Sequence, residues 1–510
     1  MESLTELVKI ITQKRMKRIE LFDEASRNKA SNYFKLFDGI HSGKYRKDED
    51  AAKDLYACKP HEKKYLILKT RLKQKLMNML FFIDIEHIRD MPAYKKVLLE
   101  CNRAIYSAKT LYLNNAFKSA IPILEKTVKM AQDYGLSQVE LEAANMLKSY
   151  YFKKKCYKEY EHFKALACEA EDRLICEHKA EKYYQETIMV YQRVAANKPI
   201  AQKMATTYLE ELANYLEKYP TNHKIRTFYY KFQIFYYQSS NNYPRLLEVL
   251  TEREEHVKNT PALFSKKKLE EIQLEKINTY FHLNKPQEVE QYIQEKVHIT
   301  AGTHNWFYMQ EYRYLIAMHT SNYVFAAQIF QQTLKDANFR LLPASQKERW
   351  QVFQLYLHYI YKSQKIKCIR EYIQNAKIKY KLSSYILQIP NFSKERRGIN
   401  LAILLVQILF HLEKFNTEAI GKCIEEMEKY SRKYPKIDAN YRSECFTIML
   451  AQMKKENYRF FQTRRATEKL YQELQKTPME YHGGNKALEI LPYTNLWDMI
   501  LEKLKHFRYG

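Results

Sequence analysis

The residues of this 510-residue chain with the plainest capacity for chemistry are two runs of cations. In "KKYLILKTRLKQK" stand Lys63, Lys64, Lys69, Arg71, Lys73 and Lys75. Lys69 and Lys73, and Arg71 and Lys75, are each four residues apart, about one helical turn, so positive charge flanks an apolar stripe. A second run holds Lys362, Lys365, Lys367, Arg370, Lys377, Lys379 and Lys381, opposed only by Glu371. Such cations contact phosphate or carboxylate groups and release counterions on doing so. Lys69, Arg71, Lys73, Lys75, Lys365, Lys367 and Arg370 are therefore candidate contacts for an anionic partner. The whole chain carries 85 basic and 59 acidic residues, a formal charge of +26, which favours nucleic acid, acidic protein surfaces or membrane head groups. Both signs are interspersed over most of the chain, the pattern of a lysine-rich solvated surface.

Catalytic constellations are not found. "HEKKY" at 61–65 lacks the second histidine of a zinc-protease helix, and "HGG" at 482–484 is not accompanied by a nucleophile elbow. Adjacent carboxylates such as Glu210–Glu211, Glu254–Glu255 and Glu425–Glu426 point about 100° apart on a helix and read as solvated pairs. The cysteines, Cys58, Cys101, Cys156, Cys168, Cys176, Cys368, Cys423 and Cys445, form no CxxC pair or zinc spacing, and a reducing compartment is the simpler setting. The histidines show no ligand spacing. The expectation is a non-enzymatic chain with neither metal nor cofactor.

The elements that would position any binding residue are helices. Nine glycines and 13 prolines leave little material for tight hairpins, and good helix formers dominate. One grammar then recurs with a period near forty. In "NNAFKSAIPIL" a helix ends at Asn114–Asn115 and a second starts near Phe117, whose face holds Ala120, Ile121, Leu124, Val128 and Ala131. Tyr157, Tyr243, Tyr323, Phe415 and Tyr458 occupy the place of Phe117 in later copies, with Pro199, Pro286 and Ile366 in weaker ones. Asn and Ser in the turn are expected to cap the second helix, and the ring to wedge against the first. Pro199, Pro244 and Pro286 suit helix starts, while Pro122 predicts a kink or a late start.

"NNAFKSAI", "SNYVFAAQIF" and "EKFNTEAI" resemble the tetratricopeptide (TPR) family, over roughly residues 93 to 475. The period is longer than that family's, and its helix-A glycine and terminal proline are missing. The resemblance implies an all-α fold, a right-handed α-solenoid of about nine antiparallel pairs. It also implies a concave groove lined by the first helix of each pair, at about 8 and 12 residues before each anchor. Those positions include Lys109, Asn145, Tyr191, Lys231, Asn278, Glu311, Gln354, His358 and Gln407. They are polar without a repeated type, which leaves the ligand open. The implied role is a scaffold or regulator holding a protein or peptide. Nucleic-acid binding through the basic runs and a peptide-gated regulator are the alternatives.

Residues 1–92 fall outside the period and read as an N-terminal helical cap. Within them "SGKYRKDEDAAKDLYACKP" gives a short helix, followed by one with Leu68, Leu72, Leu76, Met79 and Ile83 on one face. Residues 476–510 read as a closing segment whose last helix buries Trp497. The opening "MESLTELVKIITQKRMKRIE" is not a signal peptide. The most apolar run, "LAILLVQILF" at 401–410, is about half a bilayer span, so a soluble cytoplasmic protein without a membrane span is expected.

Overall fold

A computed structural model describes residues 1–13, 31–85, 91–193, 197–283, 285–364, 366–374, 397–433, 441–477 and 489–507. Among these residues the fold is all-α, with 22 α-helices and no strand. The chain divides into two compact units, Met1–Ile175 with Thr260–Ser265, and Cys176–Asn259 with Lys266–Gly510.

The first unit begins with α1 (Glu2–Gln13), α2 (Asn32–His41), α3 (Asp48–Tyr56) and α4 (Lys63–Met79). Tyr65, Leu68, Leu72, Leu76 and Met79 form the buried face of α4 and close a core with Leu4, Leu36, Ile40 and Tyr45. There follow α5 (Ala93–Leu113), α6 (Phe117–Asp133), α7 (Ser137–Lys153) and the first half of α8 (Tyr157–Arg193). A ladder of rings joins them: Phe117 meets Tyr112 edge-on at 4.9 Å and Tyr150 at 5.3 Å, and Tyr151 stacks on Phe163 at 5.6 Å.

The second unit takes the rest of α8 and continues with α9 (Lys198–Lys218), α10 (His223–Ser239), α11 (Tyr243–Asn259), α12 (Lys266–His282) and α13 (Pro286–Lys296). Then come α14 (His304–His319), α15 (Tyr323–Lys335), α16 (Ala344–Gln364), α17 (Lys367–Gln374), α18 (Arg397–Leu412), α19 (Thr417–Lys433), α20 (Tyr441–Lys455), α21 (Phe460–Lys476) and α22 (Tyr493–Leu504). Most consecutive helices of this unit pack as neighbours. The apolar run Leu401–Phe410 of α18 is buried along its whole length, because this helix is surrounded by others. Among the described residues no helix is long and apolar enough to cross a membrane.

The turns explain how a glycine-poor chain reverses so often. Asn115, Lys155, Asn241, Ser321, Phe415 and Asn457 all have φ between 51° and 58°, and Gly135 has φ of 61°. One residue later, a backbone N–H reaches back to the carbonyl five residues before it. Ala116 does so to Leu111 at 2.9 Å, Leu136 to Ala131 at 2.8 Å, Cys156 to Tyr151 at 3.0 Å and Asn322 to Ala317 at 2.8 Å. This is the left-handed helix-ending motif usually built on glycine, supplied here mostly by polar residues, of which asparagine tolerates the conformation best.

Two roles of asparagine separate at these turns. Asn115 ends α5 rather than capping α6, whereas Asn322 Oδ1 accepts from Phe325 N at 3.3 Å and Asn416 Oδ1 from Ala419 N at 3.0 Å. The second helix starts at Phe117, Tyr157, Tyr243, Pro286 and Tyr323. Tyr243, Tyr323 and Tyr458 are buried, but Tyr157 is 75 % and Phe415 50 % exposed, so these two rings are not wedges. The helix of Pro122 is already under way at Phe117, which excludes a late start. One expected turn is absent: α8 runs unbroken for 37 residues where the repeat calls for two helices. Its sequence holds neither Gly, Pro nor Asn to end a helix.

Candidate functional site

In the second unit three first-of-pair helices lie side by side and point the same way. Tyr314 Oη of α14 donates to the carbonyl of Phe353 on α16 at 2.9 Å, and Arg349 Nη1 of α16 donates to Glu311 Oε2 of α14 at 2.7 Å. Moving from 311 to 314 on one helix accompanies moving from 349 to 353 on the other, so α14 and α16 are parallel. Tyr356 Oη of α16 donates to the carbonyl of Ala402 on α18 at 3.0 Å, and Tyr359 meets Phe410 edge-on at 5.8 Å, again in parallel order.

These three helices carry buried polar side chains inside an apolar core. Glu311, Gln346, Gln354 and Asn400 are all more than nine-tenths buried. Glu311 Oε1, Arg349 Nε, both side-chain heteroatoms of Gln346, Gln354 Oε1 and both of Asn400 find no hydrogen-bond partner among the described residues. Burying an amide without a partner costs roughly 1–3 kcal/mol, so each of these side chains opposes the packing of an apolar core. Burial pushes the Glu311 carboxyl up, and the Arg349 guanidinium beside it opposes that shift. Between them these side chains offer amide donors and acceptors plus one ion pair. That inventory matches peptide groups.

The groove positions inferred from the repeat fare differently. Asn278, Glu311, Gln354 and Gln407 are buried rather than solvated. Gln407 Oε1 lies 3.8 Å from Cys423 Sγ. His358 is half-buried beside Phe410, ring centres 6.1 Å apart, and burial holds its imidazole below the usual histidine range. Lys231 sits over the rings of Phe228 at 4.7 Å and Tyr184 at 5.2 Å, and burial, with Arg253 adding to it, lowers its ammonium pKa. Tyr191 packs edge-on against Phe235 at 5.1 Å. In the first unit Lys109 pairs with Glu142, and Asn145 accepts from Lys148 at 2.6 Å. The structure thus buries Glu311 and Gln354 on neighbouring helices, pairs only Glu311 with Arg349, and scatters the others. Gln346, Arg349 and Asn400 were missed because their distances to the anchors follow no fixed offset.

Two ionic hubs were also missed. Glu254 is buried although its neighbour Glu255 is exposed, which corrects the reading of that pair as solvated. It accepts from Lys276 at 2.8 Å, Lys258 at 2.8 Å, Tyr292 at 3.1 Å and Gln273 at 3.3 Å. Burial alone would raise its carboxyl, but the hydrogen bonds from Lys258 and Lys276 bring it down to about 2. Arg442 grips Glu489 with two prongs, Nε to Oε2 at 3.0 Å and Nη2 to Oε1 at 2.7 Å, and its Nη1 donates to the carbonyls of Leu474 and Thr477.

The basic runs are less free than their sequence suggests. Lys69 is bound to Asp48 at 2.7 Å, and Lys75 lies over the Tyr33 ring at 5.5 Å. Arg71 and Lys73 on α4, and Lys367 and Arg370 on α17, are exposed. Lys365, Lys377, Lys379, Lys381 and the "HGG" stretch lie outside the described residues. Among the described residues, groups of His, Cys, Asp and Glu able to hold a metal are not found. Compared with models of protein families, with curated proteins and with solved structures, the chain matches none.

Proposed function

We propose that this protein is a non-catalytic binder of a peptide or an extended segment of a protein, acting as scaffold or regulator through a TPR-like array. The observation that carries the reading is the set of buried amides without partners, Gln346, Gln354 and Asn400, with the Glu311–Arg349 pair, on three parallel first-of-pair helices. Where hairpins pack mainly on their neighbours, separating two of them disturbs one interface and leaves the rest intact. A peptide entering between them would satisfy those donors and acceptors with its own amides.

The test is a pair of leucine replacements, Gln354→Leu and Asn400→Leu, in the full chain. Each should raise the thermal midpoint, because an amide without a partner gives way to an apolar group in an apolar core. Each should also abolish selection of ligands from a random peptide display library that the unaltered protein enriches. Raised stability with unchanged enrichment would overturn the reading.

A further inference from the structure

The inner stripe of α4 is settled by its packing; its opposite face is not. Ile67, Thr70, Gln74, Met77 and Phe81, the last in the 3-10 turn Leu80–Phe82, follow one another at intervals of three, four, three and four residues. That is the spacing of a helix–helix seam. It lies diametrically opposite the buried stripe of Tyr65, Leu68, Leu72, Leu76 and Met79. Ile67, Met77 and Phe81, with Leu66 beside them, remain 39 to 52 % exposed, and Thr70 and Gln74 are exposed too. Phe81 meets the exposed ring of Tyr106 on α5 at 5.6 Å, so the apolar surface continues past the end of α4.

Charge decides what can cover it. The 17 residues of α4 include six Lys or Arg and no Asp or Glu. Arg71 and Lys73 flank the seam, one on each side, exposed and without an ion pair among the described residues. A second copy of the chain would set this cationic helix against its like. Nucleic acid would leave Ile67, Met77 and Phe81 idle, since its interfaces are polar. A bilayer would take the middle of the stripe deepest, and there the chain places Thr70 and Gln74.

We propose that the outward face of α4 docks an acidic amphipathic helix of a partner protein. Ile67, Met77 and Phe81 are its apolar anchors, Thr70 and Gln74 set the register, and Arg71 and Lys73 select carboxylates on the flanks of the incoming helix. This surface lies in the first unit and shares no residue with the buried amides of the second.

The probe is a three-heptad synthetic helix with leucine at its seam positions and glutamate at the flanking ones, labelled and followed by fluorescence anisotropy with the full-length protein. It should bind about tenfold or more tightly than the same helix with lysine at the flanks. Arg71→Glu with Lys73→Glu should reverse that preference. Ile67→Ser with Met77→Ser should weaken the glutamate helix by about tenfold or more. Thermal melts of both variants should stay cooperative, which separates lost binding from lost folding. Equal binding of the two helices, a preference that survives charge reversal, or binding of phosphatidylserine vesicles or a DNA duplex in place of the acidic helix would overturn the proposal.

Discussion

Lys276 Nζ lies 2.8 Å from Glu254 Oε2, and both side chains are about 95 % out of water. The two residues stand on α11 and α12, and the ammonium also sits over the Tyr292 ring at 4.8 Å. Two opposite charges so deeply buried hold each other in place, and neither tolerates loss of its partner.

Glu254→Gln should therefore destabilise the second unit by about 3–5 kcal/mol, since Lys276 would be left buried without its counterion. Glu254→Leu combined with Lys276→Met should recover most of that loss. Denaturant titration measures both. In the unaltered protein the carboxyl sits at about 2 against an ordinary 4.5, so its contribution is complete above pH 4.5 and is lost as pH falls towards 2. The glutamine variant should lack that part of the acid dependence.

His256 titrates in the neighbouring window. Burial, then Arg226, His223 and Lys268, lower its imidazole from 6.5 to about 4. Its ring lies 6.0 Å from those of His223 and Tyr230. The folded state favours the neutral ring, so the unfolded chain binds more protons below pH 6.5. Stability should fall as pH drops from about 6.5 to about 4. His256→Phe should flatten the urea midpoint over that range, and a midpoint equally steep in the variant would contradict the assignment.

Lys155 holds φ of 54° in an exposed turn between α7 and α8. Lys155→Gly should stabilise the protein by about 1 kcal/mol, because glycine adopts that conformation without the penalty of a Cβ. Ala in the same place should not. Chemical denaturation compares the two.

Arg442 makes four hydrogen bonds that a lysine cannot reproduce, two to Glu489 and two to main-chain carbonyls. Arg442→Lys should cost about 2–4 kcal/mol. Glu489 Oε1 also accepts from Tyr493 N at 2.8 Å, so amide exchange at Tyr493 should speed up in the variant. Unchanged protection there would show that the pair does not secure the start of α22.

What residue order alone determined is local. Scarce glycine and proline, apolar residues at helical spacing, and the Asn-centred reversals before Phe117, Tyr243 and Tyr323 gave an all-α chain and the first residue of several helices. These signals are legible because a turn and a helix start depend on side chains a few residues away. The tertiary structure decided the rest. It set Glu254 inside and Glu255 outside, ran α8 through an expected turn, left Tyr157 in water and tied Lys69 to Asp48. It also buried Glu311, Gln354 and Asn400 and paired Glu311 with Arg349. Burial and partnership across some 20 to 50 residues depend on which faces of distant helices meet, and a linear pattern specifies a face without specifying what covers it.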